Sequence, residues 1–287
     1  MIAHVAEASE ESGRVLLWLS PNAVSVPRAH EASVRVAAAY GSELETVVID
    51  GPDLANFAGL PVRFVSNTGK IGANYACHSD DSKGLISIAE RRRREIDGSA
   101  ARAHVLVHHA RAVGDPIDRL AEMCLERGPW NIVAVERPVS VDTASVLSSI
   151  FANVSGATAV VIAGRNANAT TADVAVVIED TERMPSMVRA GERLVMPGGK
   201  IHIFVVAETT ESFLELDSHV RLLTSGRAGI VHATSAATLG VCGTFDEPIF
   251  KLRPNFVIAR FGGSLLSDAR ALTRLLTISP APFLLVR

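Results

Sequence analysis

Residues 114–136, GDPIDRLAEMCLERGPWNIVAVE, hold the pattern on which the fold turns. Asp115 stands at an N-cap position and Pro116 at the first helical position. Ile117, Leu120, Ala121 and Cys124 then recur at i, i+3, i+4 and i+7, which predicts a helix with one apolar face. The following run NIVAVE (131–136) is apolar and β-branched, as a buried strand is. A helix feeding directly into a buried strand is the repeating unit of a parallel sheet, because parallel neighbours need a crossover between them.

The same alternation extends outward on both sides. Upstream, RVLLWL (14–19) predicts a strand, and residues 28–40 a helix with Ala29, Ala32, Val36 and Tyr40 on one face, closed by Gly41. LETVVI (44–49) predicts the next strand. Residues 51–81 are too long for a simple connection and are expected to be a local elaboration. Ser82 is placed as the cap of a helix that turns Leu85, Ile88, Ala89 and Ile96 inward, and HVLVHH (104–109) is the strand after it. Downstream come a helix with Leu147, Ile150, Phe151 and Val154 on one side and the strand TAVVIA (158–163). Five strands alternating with four helices predict a doubly wound parallel sheet.

The pattern then repeats. Val107-His108 recurs as Val231-His232, NIVAVE (131–136) as NFVIAR (255–260) and TAVVIA (158–163) as PFLLVR (282–287), each 124 positions later. The first strands, RVLLWLS (14–20) and DVAVVIE (173–179), lie 159 positions apart, and most of the difference falls in 51–81. The second copy has a helix with Met184, Met187, Val188 and Gly191 inward, while its counterpart of the Asp115 helix, residues 239–251, is broken by Gly and Pro and reads as a loop. The predicted architecture is therefore α/β, with two tandem doubly wound five-stranded parallel sheets. The first domain spans 1–168, with a polar leader 1–13 and the 51–81 insertion, and a shortened second domain spans 169–287.

Totals set further bounds. The 287 residues suit two domains, and 48% hydrophobic with only 5% aromatic content means cores of Val, Ile, Leu and Ala. A net charge of -3 offers no basic footprint for nucleic acid. Cys77, Cys124 and Cys242 show no paired spacing, so a reducing, cytoplasmic setting is expected. There is neither a signal-peptide pattern at the start nor an uncharged apolar run long enough for a membrane span.

With the repeat in view, the chain resembles the universal stress protein family twice over. The stretches that carry the resemblance are 114–136 and LTRLLTISPAPFLLVR (272–287). The resemblance implies an adenine nucleotide hydrolase-like fold with a crevice at the C-terminal ends of the strands, and an intramolecular pseudo-dimer that docks through the fifth strands; a homodimer is a further option. Nucleotide-binding members carry an acidic residue after the first strand and a Gly-x2-Gly-x9-Gly-(Ser/Thr) motif after the fourth, which brings backbone amides up to phosphates. In the first domain the acidic position is Ser20, the fourth strand runs into Glu136, Arg137 and Pro138, and Ser145-Val146 stand where Gly-Ser belongs. In the second, Asp180 follows the strand and Gly262-Gly263 follow the fourth strand, but Ala269-Arg270 replace Gly-Ser.

The resemblance thus implies a non-catalytic regulatory or protective protein with no resident cofactor, acting through a protein partner or small ligand. The alternative is an ATP- or AMP-binding stress protein using Asp180, Gly262 and Gly263. Ser20, His108, Glu136, His232 and Arg260 are the candidate pocket-lining residues. His108 and His232 are placed near the C-terminal ends of the third strands, where such sheets bind ligands, although a hydrogen-bonded strand-end histidine kept since duplication is the favoured account, no partner acid or nucleophile standing at motif spacing. Cys77, His78, Asp80 and Asp81 read as turn formers rather than metal ligands. Asn67-Thr68-Gly69-Lys70 lacks the upstream glycine of a phosphate loop, and Arg91 to Arg94 form a solvated helix end offset by Glu90 and Glu95.

Overall fold

The computed structural model describes residues 13–19, 29–50, 64–65, 71–72, 79–126, 128, 130–135, 143–162, 171–238, 249, 251–263 and 281–287. Within them the chain runs β1 (Arg14–Leu19), α1 (Ala29–Tyr40), β2 (Glu43–Asp50), β3 (Phe64–Val65), β4 (Ile71–Gly72), α2 (Ser79–Arg102), β5 (Val107–Val113), α3 (Pro116–Glu126), β6 (Asn131–Val135), α4 (Thr143–Asn153) and β7 (Ala157–Ile162). It continues with β8 (Val174–Ile178), α5 (Met184–Leu194), β9 (Ile201–Ala207), α6 (Thr210–Thr224), β10 (Ile230–Thr238), β11 (Phe256–Arg260) and β12 (Phe283–Val286).

Ten of these strands form one sheet in the order β10-β9-β8-β11-β12-β7-β6-β1-β2-β5. Each half has its first strand inside, winds outward through its second and third, then returns to the other flank for its fourth and fifth. The winding reverses between β1 and β6 and again between β8 and β11. Pairing is parallel along each half. Among the described residues of this sheet only the seam is antiparallel, with Leu285 opposite Val160 and Leu284 opposite Val161.

Helices cover both faces. Side chains alternate between the faces along each strand, so Val15, Leu17, Val161, Val176 and Leu284 pack with α1, α2, α5 and α6, while Leu16, Val133, Val160, Val177 and Leu285 pack on the face covered by α3 and α4. Each core continues across the seam. Two further contacts tie the halves: the Phe151 ring of α4 stacks on Phe261 at a centroid distance of 4.0 Å, and Arg287 donates to the carbonyls of Phe151, Val154 and Ser155 at the C-terminal end of α4. A cation there complements the negative end of the helix.

Local signals act as expected in α3, where Asp115 Oδ1 accepts hydrogen bonds from the Ile117 and Asp118 amides at 2.9 and 3.2 Å, and Leu120 and Cys124 are fully buried. Burial in this apolar setting pushes the Cys124 thiol up to about 11, so it is a core group rather than a nucleophile. The repeated Asn131 and Asn255 are both fully buried at the start of the fourth strands. Asn131 Nδ2 donates to the Cys124 and Gly128 carbonyls at 2.8 and 2.6 Å, and Asn255 Nδ2 to Leu194 at 3.4 Å.

Several boundaries differ from expectation. The helix placed from Ser82 starts at Ser79, so Ser82 lies inside it rather than capping it. The strand placed at 104–109 runs from Val107 to Val113 instead, because the chain first turns through His104 at φ 56° and then registers against Leu44–Asp50. The two sheets merge into one through the β7–β12 pairing. β9 and α6 carry no assignment on sequence grounds, although Thr209 and Ser212 form a reciprocal capping box at the start of α6. Of 51–81, the described residues include the antiparallel pair β3–β4 and the start of α2. Most of 239–251 lies outside the described residues.

Val160 and Leu285 are fully buried, so Val160→Asp forces a carboxylate into the seam. Chemical denaturation is expected to show a loss of about 4 kcal/mol or outright failure to fold; an unchanged midpoint would mean that the seam holds nothing together. Asn131→Ala leaves interior carbonyls without a donor and is expected to lower stability by about 2 kcal/mol in the same measurement.

Candidate functional site

Open α/β sheets hold ligands at the C-terminal ends of the strands where the winding reverses, and in the second half that reversal lies between β8 and β11. Four of the sequence-selected residues meet there. Asp180 lies two residues beyond β8, Arg260 ends β11, and Gly262 and Gly263 follow it. β8 and β11 are hydrogen-bonded neighbours, so residues 80 apart in sequence are brought into contact.

The Asp180 carboxylate is engaged on both oxygens. Oδ1 accepts the Arg183 amide at 2.8 Å, which closes the turn before α5, and Oδ2 accepts Arg260 Nη1 at 2.7 Å. Both side chains are partly exposed, at 24% for Asp180 and 35% for Arg260. Gly262 has φ +75°, a left-handed conformation that favours glycine. At Gly263 an added Cβ would run into the Glu179 carboxylate, so a larger residue there would require that flexible side chain to move aside. The result is a tight turn beside an acidic side chain, with the crevice's own acid and base paired to each other.

The two histidines do not join this site. With β5 beginning at Val107 and β10 at Ile230, His108 and His232 occupy the second and third strand positions, near the N-terminal ends. They also stand on β5 and β10, the two opposite edges of the ten-stranded sheet. The half-exposed His108 points Nε2 toward Glu43 at 3.5 Å. Their placement at the ligand-binding ends of the strands is therefore corrected: it followed from a strand boundary set three residues too early. Ser20 and Glu136, the first half's candidates at the corresponding β1–β6 reversal, lie outside the described residues, as do Cys77, His78 and Asn67 to Lys70.

Sequence patterns missed the neighbouring His109. Its Nδ1 lies 2.7 Å from Thr46 Oγ1 and its Nε2 2.8 Å from Asp97, linking β2, β5 and α2. The chain of hydroxyl, imidazole and carboxylate has a hydrolytic order, but Thr46 is only 2% exposed and cannot meet a substrate, so the network is a structural tie. Asp173 plays a similar part, accepting the Lys200 amide at 2.8 Å and pairing with His202 at 3.0 Å. No periodicity marks either network, because its members come from separate elements. Among the described residues no helix is long and apolar enough to cross a membrane.

No family model and no curated protein matches the sequence. Solved structures do match. A universal stress protein from Archaeoglobus fulgidus DSM 4304 is 12% identical with a TM-score of 0.60, the match covering 95% of this chain and 96% of that one. A protein described as functionally unknown from Pseudomonas aeruginosa PAO1 is 11% identical with a TM-score of 0.53, covering 96% and 92%. The cytoplasmic domain of a prokaryotic cation chloride cotransporter is 10% identical with a TM-score of 0.51, covering 96% and 95%. At such identities the likeness establishes architecture and not ligand or activity, and on that basis the chain has the fold of the universal stress proteins.

Proposed function

We propose that this is a non-catalytic, universal-stress-protein-like protein of regulatory or protective role, built of two units at 1–168 and 169–287 and acting through a partner or small ligand. The observation that carries this proposal is the engagement of Asp180 by Arg260 at 2.7 Å and by the Arg183 amide at 2.8 Å. The acid that the family resemblance would assign to adenine or ribose is already satisfied within the chain. A phosphate approaching the Gly262-Gly263 turn would also meet the Glu179 carboxylate against which Gly263 packs. Like charges at that distance disfavour the bound state.

One observation favours the second reading, an ATP or AMP binder. Asp180 and Arg260 are both partly exposed, and an ion pair of that kind is worth on the order of 1 kcal/mol, little enough for a nucleotide to displace. In that case the left-handed turn at Gly262 would present amides to the phosphates.

Calorimetric titration with ATP, with and without magnesium, separates the two. Under the leading proposal the Asp180→Ala variant is expected to titrate like the wild type, with no nucleotide binding that depends on this carboxylate. Wild-type binding that vanishes in Asp180→Ala would overturn it and establish a nucleotide site in the crevice.

A further inference from the structure

The C-terminal turns of α2 meet the rest of the first half through two imidazoles. Ile96 and Ala100 of this helix are buried in the core that also holds Ala32 and Val36 of α1. Beside them, His30 of α1 places Nε2 3.2 Å from Ser99 Oγ, and His109 of β5 places Nε2 2.8 Å from Asp97 Oδ1. The two contacts fall two residues apart on α2 and differ in polarity. A carboxylate oxygen accepts, so His109 Nε2 donates to Asp97 whether the ring is neutral or cationic.

The His30 contact runs the other way. Arg102 Nη2 donates to Ser99 Oγ at 3.1 Å, and a guanidinium can only donate. Among the described residues His30 Nε2 is the one acceptor within reach of the Ser99 hydroxyl proton, so Nε2 accepts and the ring is neutral. An imidazolium would set N–H against O–H. Two further features disfavour a cation at this place. His30 is the second residue of α1, at the positive end of that helix. The carbonyls of Ser99, Ala100 and Ala101, which could have received it, are already taken by the amides of Ala103, His104 and Val105, and Gly98 by Arg102 Nε. Burial is the largest influence on His30 and lowers its proton affinity below that of an ordinary histidine; Arg102 and Arg92 of α2 act in the same direction, and Glu31 of α1 and Glu95 of α2 oppose them without reversing it.

We propose that the α1–α2 contact is an acid-sensitive latch: when His30 takes up a proton, the Arg102–Ser99–His30 chain breaks and the end of α2 loosens from α1, while His109 still holds Asp97 to β5. The sign follows from linkage. The folded chain protonates His30 at lower pH than the unfolded chain does, so the latch is at full strength above about pH 6.5, the ordinary histidine value. It weakens as the pH falls below that value and through the lower folded one. The surface uncovered is the apolar flank of Ile96 and Ala100. The latch is remote from Asp180 and Arg260 and stands whether or not a nucleotide binds beside them.

The test is amide hydrogen exchange of the full chain at about pH 7.5 and about pH 5.5, corrected for the intrinsic pH dependence of exchange. In the wild type, residues 95–102 are expected to lose protection at the lower pH while α3 keeps its own. His30→Gln retains an acceptor for Ser99 and cannot be protonated, so its α2 protection is expected to be the same at both pH values. His109→Gln, which removes the other tie, is expected to lower α2 protection at both pH values and to keep the acid-induced loss. The control His202→Gln, on β9 and paired with Asp173, is expected to respond like the wild type. Wild-type α2 protection that does not change with pH, an acid-induced loss that persists in His30→Gln, or one that disappears in His109→Gln or His202→Gln would each overturn the proposal.

Discussion

The antiparallel pairing of β7 with β12 is the constraint on which the rest of the molecule depends. A five-stranded sheet ending in ATAVVI or FLLV would present a long apolar edge with unpaired backbone groups, which is a template for aggregation. Joining the two edges satisfies those groups and places Val160, Val161, Leu284 and Leu285 in the interior at once. Full burial of a single Val or Leu side chain contributes about 1.5 to 3 kcal/mol, so four such residues outweigh any ion pair in the structure. The antiparallel direction follows from joining like edges of two like units, which relates them by a half-turn, as in an isologous interface between identical subunits.

That half-turn also decides where the interesting surfaces fall. It brings α1 and α5, the helices that follow each half's first strand, side by side on one face of the sheet, with the Arg193 guanidinium 4.8 Å from the centroid of the Tyr40 ring. Meanwhile the crevice at β8 and β11 belongs to one half alone. Its geometry is set by parallel pairing of β8 with β11, which aligns Asp180 and Arg260 across neighbouring strand ends.

The Asp180–Arg260 pair joins two neighbouring strand ends without bearing on the winding of the sheet. Nothing in the winding requires an arginine at the end of β11; its length and charge happen to reach the carboxylate across one strand spacing. The same fold occurs in a stress protein and in a cotransporter domain, so the fold by itself does not fix what the strand ends do.

Much of this was legible from the sequence alone. The 3.6-residue period and cap chemistry of 115–126 and the apolar runs of the strands report short-range physics, so they pointed to the type and order of most elements, though not to β9 or α6. Asp180, Gly262 and Gly263 were singled out by the family resemblance, which could be laid on the chain because they follow strands whose ends were legible. The tertiary structure alone decided the rest. Whether His108 sits at the beginning or end of its strand depends on registry with β2, since an apolar run slides along its neighbour until side chains on both faces are satisfied. The Asp180–Arg260 pair and the Thr46–His109–Asp97 network join residues from separate elements. No local pattern encodes such contacts, because they exist only once the strands are paired and the helices laid down on the sheet.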